Sequence, residues 1–186
     1  MTTIIIIALV VVVGLYFVST QRSLVNLDEL AKNAMSQIAV QCNSRWDALL
    51  SLAKMAAQYS KHESETLIKT IEGRRLGSAP TAAEVNAQQG AVSQVLGRLL
   101  AVGEAYPDLK AASLFKETMD GIKQYEENVR LSRMVYNDSA TKMNRMVRQW
   151  PSSIVASLLH FAEREYLQAD EEQKNKMPDL TSAFGN

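Results

Sequence analysis

Residues 2–21 carry no charged side chain, and their centre, Ile4-Ile5-Ile6-Ile7-Ala8-Leu9-Val10-Val11-Val12-Val13, is nearly pure hydrocarbon. At 1.5 Å per residue, about 20 helical residues reach about 30 Å, the thickness of a bilayer core. Such a stretch favours a membrane-crossing helix, which satisfies all its backbone hydrogen bonds internally. The competing assignment is a cleaved secretory signal, which starts with a basic region, has a shorter apolar run and ends at a small-x-small site. Here nothing basic precedes Ile4, the run continues through Leu15-Tyr16-Phe17-Val18, and Ser19-Thr20 make a poor cleavage site. A retained anchor over residues 1–21 is therefore expected, with Tyr16 and Phe17 at headgroup depth. Arg22 and Lys32 follow the exit, and no basic side chain lies on the other flank. By the positive-inside rule the N-terminus lies outside and the body in the cytoplasm.

Removing the anchor from 186 residues leaves a body of about 150 residues, enough for a core of its own. Twenty basic and twenty acidic side chains give zero formal net charge, which argues against nucleic acid as the main partner. The single Cys42 excludes an intrachain disulfide. It sits in a helical apolar pattern, where a small core residue is expected rather than a nucleophile. A lone thiol also suits a reducing compartment.

From Thr2 to Glu72 there is no proline, and the only glycine is Gly14 inside the apolar run. One long helix is expected to leave the membrane and continue to about residue 72. Leu24, Leu27, Ala31, Ala34, Ile38, Cys42, Leu49, Leu52, Met55 and Tyr59 keep its apolar stripe. The glycines and proline of Gly73 to Pro80 end it, and Thr81 with Glu84 forms a capping-box pattern for a second helix ending near Glu104. After the turn at Tyr106-Pro107-Asp108, Phe115, Ile122, Val129, Tyr136, Met143 and Trp150 recur every seven residues. Thr118, Tyr125, Ser132, Ser139 and Met146 form a second, mostly smaller row. So sustained a repeat implies coiled-coil-like packing. Pro151 breaks this third helix, and Ser152 to Phe161 forms a short fourth. The expected fold is all-α: a transmembrane helix over 1–21 continuing into an antiparallel bundle over 22–167. Residues 168–186 are too polar to pack and are expected to be disordered.

The chain lacks HExxH, a glycine-rich phosphate loop, GxSxG and CxxC. Di-metal sites in helical bundles need Glu-x-x-His, but Tyr59 and Ser157 stand three residues before His62 and His160. No cofactor, metal or enzymatic activity is expected. Arg130, Arg133, Lys142, Arg145 and Arg148 are expected to form a solvated face, the alternative being a surface for anionic lipid or an acidic partner. Gln41 and Arg45 stand out because they occupy stripe positions between Ile38 and Leu49. A guanidinium inside a bundle needs polar partners or its burial costs several kcal/mol. Glu126, Asn137 and Asp138 on the third helix are the candidates. Together the five suggest a buried polar layer that sets helix register.

Several blocks resemble the LemA family of bacterial membrane proteins. They are Ser36-Gln37-Ile38 with Val40-Gln41, Arg45-Trp46-Asp47, Leu49, Tyr59, His62-Glu63 and the specific run Glu104-Ala105-Tyr106-Pro107-Asp108-Leu109-Lys110-Ala111. Phe115, Glu126, Arg133, Tyr136-Asn137-Asp138, Asn144 and Pro151 continue the match. Met35 stands where the family usually has Trp, Leu50-Ser51 replaces Pro-Asn, and Glu127 replaces Asn. The lost proline implies a straighter first helix. The resemblance implies a membrane-anchored antiparallel bundle in the bacterial inner membrane, with no established enzymatic activity. One branch of the family acts in building magnetosome membranes, and others are encoded beside TPM-domain membrane proteins. An unidentified membrane-protein partner, with the TPM-domain type as one candidate, is therefore expected besides the lipid bilayer. Two alternatives stay open: a sensory bundle with a polar cavity around Arg45, and a hydrolase using His62 with converging carboxylates.

Overall fold

The computed structural model describes residues 1–168, apart from the side chains of residues 61–63. The expected disordered tail lies outside these residues except for Gln168. His62, on which the hydrolase alternative turns, has its side chain outside them as well.

The described residues are all-α, in the order α1 Thr2–Ala56, α2 Lys61–Glu72, α3 Ala82–Ala105, α4 Pro107–Ala111, α5 Ser113–Arg148 and α6 Ser152–Leu158. Helix α1 has 55 residues and is therefore about 80 Å long. Its first third projects from the body, with the apolar side chains of Ile4 to Leu15 exposed. This is the one helix among the described residues long and apolar enough to cross a membrane. The helix runs unbroken through Leu50-Ser51.

The expected continuation to residue 72 does not occur. The chain turns at residues 57–60 and restarts at Lys61, with Ser60 at the N-cap of α2. Ser60 and Glu63 have the S-x-x-E spacing of a helix start, a local signal that the unbroken periodicity conceals. Leu67 and Ile71 then fold back onto Leu49, Leu52, Ala53 and Ala56. Tyr59 leaves the stripe and stacks on Tyr106, with ring centroids 5.7 Å apart.

Because α2 reverses direction, α3 runs parallel to α1 and α5 antiparallel to it. Val85 near the start of α3 joins Ala31 to Cys42 of α1, whereas Val95, Leu99 and Val102 join Trp46 to Ala56. On α5, Phe115 and Ile122 belong to the distal cluster, and Val129, Tyr136 and Ala140 to the proximal one. The body is therefore a four-helix bundle at its distal end.

The capping box at Thr81 and Glu84 forms as the sequence implies. Pro107 occupies the first turn of α4, where its missing N–H costs nothing. Gly103 lets the Phe115 ring lie against its backbone, since a Cβ there would stand 3.2 Å from the ring.

The large seven-residue row of α5 is buried from Phe115 through Met143. Trp150 is the exception, lying past the end of α5 at 80 % exposure. Helix α6 stops at Leu158, short of the expected Phe161. His160, at φ 58°, takes the left-handed position after it, while the N–H groups of His160 and Phe161 cap the carbonyls of Ser157 and Ala156.

Candidate functional site

A polar layer divides the core in two. On α1, Ala31, Ile38, Arg45 and Leu52 are spaced by seven and each is 0 % exposed. Arg45 therefore occupies a fully buried seam position, between Cys42 of the proximal cluster and Trp46 of the distal one. The neighbouring helices place polar groups at the same level. On α3, Gln88 and Gln89 lie between Val85 of one cluster and Val92 of the other. On α5, Glu126 and Asn128 lie between Ile122 and Val129.

Cross-helix bonds link these groups. Trp46 Nε1 donates to Gln88 Oε1 at 2.6 Å, and Gln89 Nε2 donates to Glu126 Oε1 at 3.2 Å. Asn128 Nδ2 donates to Gln41 Oε1 at 3.4 Å. Arg133, expected on the solvated face, is instead buried and donates to the Val85 carbonyl at 3.3 Å.

Of the five residues expected in a polar layer, Gln41, Arg45 and Glu126 lie in this one. Asp138 is exposed and pairs with Lys142, one helical turn on, at 2.7 Å. Asn137 turns to the C-terminal segment. Gln88 and Asn128 were not anticipated. Asn128 sits one residue before the stripe position Val129, so periodicity passes over it, whereas Gln88 falls on the stripe of α3 itself, three residues after Val85 and four before Val92.

Burial pushes the Cys42 thiol up, although the positive charges of Arg45 and Arg133 pull the other way. With the sulfur buried in the core, the native protein should resist a maleimide at neutral pH. Modification should proceed at the rate of global opening and accelerate with denaturant. A fast reaction in native buffer would show that the layer opens locally.

A second polar construction holds the C-terminal segment. Residues 161–168 leave α6 as an irregular strap. Asn144 Nδ2 donates to the Arg164 carbonyl at 2.9 Å, and its Oδ1 accepts the Arg164 N–H at 2.7 Å. Asn137 grips Leu167 in the same way, at 2.9 Å for each bond. Seven helical residues rise about 10.5 Å and three extended residues about 10 Å, so the two grips match in spacing. The strap therefore runs back along α5, antiparallel to it. Tyr136 Oη donates to the Glu165 carbonyl at 3.1 Å, the Gln168 N–H donates to Asn86 at 3.1 Å, and the Leu167 side chain is buried in the proximal cluster. Asn43 uses the same two-bond grip on Leu76, at 3.0 and 2.9 Å, to hold the turn before α3.

Charge ties the strap down further. Arg148 pairs with Glu163, and Arg164 pairs with Asp28 of α1, which also takes Lys32 at 2.7 Å. Burial works against the Asp28 charge, but hydrogen bonds and charges from Lys32 and Arg164 outweigh it and hold the carboxyl below its ordinary value. A depressed carboxylate stabilises the fold above its unfolded value, about pH 4, and that contribution is lost as pH falls through the lower folded value. Acidification from about pH 5 to pH 2 should therefore loosen the strap, read as faster exchange of the Arg164 and Leu167 amides. Asp28→Asn should weaken the strap at neutral pH and flatten the acid response; an unchanged acid profile would exclude Asp28 as its source.

An open groove of about 660 Å³ lies between α1, the turn before α3 and the strap, with Lys32, Ser36, Pro80, Tyr136 and Glu163 in its walls. Arg45 is not among the residues that line it. Among the described residues no three His, Cys, Asp or Glu side chains come together as metal ligands would.

An N-terminal apolar helix leading into a four-helix bundle, closed by a strap from its own C-terminal segment, defines a membrane-associated all-α protein. The LemA family model matches residues 34–181, and the chain belongs to the LemA family. Similar relatives are Magnetosome protein MamQ 2 of Paramagnetospirillum magneticum and Magnetosome protein MamQ of Magnetospirillum gryphiswaldense. Each is 29% identical, over 96 and 94 residues respectively, or 52% and 50% of this chain. The matched stretch covers 35% of each relative's length.

Proposed function

We propose that this chain is a single-pass, inner-membrane-anchored bundle that binds or scaffolds a membrane-protein partner and carries no catalytic activity. The observation that carries the reading is the packing at Arg45. A ligand-sensing bundle calls for a polar cavity there, whereas Arg45 is fully buried between two apolar clusters and the open groove lies elsewhere. Packed helices with a fixed register suit presentation of a surface. One such surface is on α5, where Leu131, Met134 and Val135 are exposed on a single face. Contiguous exposed apolar side chains mark interaction sites more often than chance. A TPM-domain membrane protein is one candidate partner, suggested by the family resemblance.

A photo-crosslinking amino acid at Met134, activated in intact membranes, tests this reading. A discrete adduct with another membrane protein, absent when the crosslinker stands at Asp120, is the supporting result. Failure to crosslink at Met134 while the protein remains in the membrane would remove this face as the partner site.

The body is proposed to face the cytoplasm, because Arg22 and Lys32 follow the apolar run. A periplasm-dependent phosphatase fused to the C-terminus should be silent, and a fluorescent protein that folds only in the cytoplasm should be bright. The opposite pattern would reverse the orientation.

A further inference from the structure

We propose that α6 docks into the headgroup layer of the bilayer that α1 enters, through the outward row Trp150, Ile154 and Leu158. The inference rests on the reading that residues 1–21 span a membrane, and adds a second, peripheral contact made by the body.

Three observations place α6 at that depth. First, its inner side packs on the exit of α1: Val155 and Ala156 form a cluster with Leu24, against which Phe17, Met146 and Leu159 also pack. Thr20, between Phe17 and Leu24, is buried. Seven residues of α1, from Phe17 to Leu24, rise about 10 Å, enough to cross the headgroup layer on one side of a bilayer. Secondly, α5 returns antiparallel to α1, with Asn128 bonded to Gln41 and Met146 packed near Leu24. Continuing that register brings Trp150 level with Thr20, at the boundary of the apolar run. Thirdly, the side of α6 turned away from the body is apolar where a water-facing helix would be polar. Ile154 and Leu158 are spaced by four on one face of α6 and are 53 % and 64 % exposed, and Trp150, two residues before the helix, is 80 % exposed.

The occupant that fits this surface is lipid. Through Val155 and Ala156, α6 packs beside Phe17 at the end of the exposed apolar run of α1. Its outward apolar side chains therefore lie next to the surface that α1 offers to lipid. Tryptophan favours the membrane interface, where its ring is embedded and its N–H stays wet. Arg22, two residues before Leu24, and Arg145, next to Met146, are exposed near the same level and can meet lipid phosphates. Of the acidic groups nearby, Glu163 is engaged by Arg148 and Asp28 by Lys32 and Arg164. A short helix with an apolar face and basic flanks lies in the interface plane. Fixing it there would set the tilt of the rod relative to the membrane.

The unmodified full chain is sufficient to test this. Trp46 is buried in the core and lies 22 residues beyond Leu24 along α1, about 33 Å further from the bilayer, out of reach of a quencher in the lipid. Trp150 is then the reporter. In phosphatidylcholine–phosphatidylglycerol vesicles carrying nitroxide at a shallow acyl position, the Trp150 part of the emission should be lost, while aqueous iodide should quench it poorly. Trp150→Phe should abolish the lipid quenching, and Ile154→Ser with Leu158→Ser should weaken it. Emission unchanged by headgroup and shallow nitroxides but quenched by iodide, in protein that floats with the vesicles, would overturn the docking of α6 alone. Failure to float would overturn the membrane reading of α1 and the inference with it.

Discussion

Arg45→Ala is expected to lower the stability of the full chain in detergent by about 3 kcal/mol or more, a loss typical of truncating a large, fully buried side chain. Arg45 is the second-largest of the fully buried side chains, and its removal leaves a cavity at the junction of both apolar clusters. The polar groups left at that level then face a void rather than a charge. Arg45→Met keeps most of the volume and removes only the charge. Replacing a whole buried ion pair by apolar residues is often nearly neutral, but removing one partner strands the other at a cost of about 3–5 kcal/mol. The methionine variant should therefore recover only the part of the loss that comes from the cavity. Denaturant midpoints of the two variants separate filling from charge. If Arg45→Ala leaves the midpoint unmoved, the layer makes no contribution to folding. If Met is as damaging as Ala, the charge itself is required, and pairing Arg45→Met with Glu126→Gln should restore part of the loss where Glu126 is the coupled group.

Arg45 was legible because it violates a pattern. In a row whose other members are Ala31, Ile38 and Leu52, a guanidinium is conspicuous without any structure. Its neighbours were less so. Gln88 is buried at the bond from Trp46; it too breaks an apolar stripe, between Val85 and Val92, but a neutral amide is less conspicuous there than a guanidinium. Arg133 follows Val129 by four residues, so it falls on the buried side of α5; basic residues around it disguised that placement as part of a charged face. The same limitation explains the misplaced end of the first helix. Periodicity measures which side of a helix is apolar, and α2 keeps an apolar side after the chain has reversed. The local sequence signal at the reversal is the S-x-x-E spacing of Ser60 and Glu63, a weak one when read alone. The apolar N-terminal helix, the turn before α3 and the large row of α5 were readable because composition, capping and period each gave a strong signal there.

The C-terminal strap was the least legible part of the body, because its affinity for the bundle lies in backbone groups. Residues 162–166 read as polar chain, and only Leu167 offers an apolar side chain to the core. The counterpart signal is on α5, where Asn137 and Asn144 stand seven residues apart, each beside a member of the buried row. An asparagine amide has one acceptor and one donor, so it can satisfy the N–H and C=O of a single extended residue as a neighbouring strand would. Two such grips carry four hydrogen bonds. Replacing both Asn137 and Asn144 with alanine should therefore cost about 2–4 kcal/mol of local opening free energy. Because 1.4 kcal/mol is a factor of ten, the Arg164 and Leu167 amides should exchange with solvent about thirtyfold faster or more. Amides on α3, such as that of Val95, should stay protected if the strap opens as its own unit. Either single variant should free mainly its own contact residue, Asn144→Ala at Arg164 and Asn137→Ala at Leu167. Unchanged exchange at both amides in the double variant would mean that Leu167 burial and the ion pairs hold the strap without the asparagines. Faster exchange throughout α3 and α5 would mean that the strap is part of the cooperative core. In that case the bundle depends on the strap as much as on its helices.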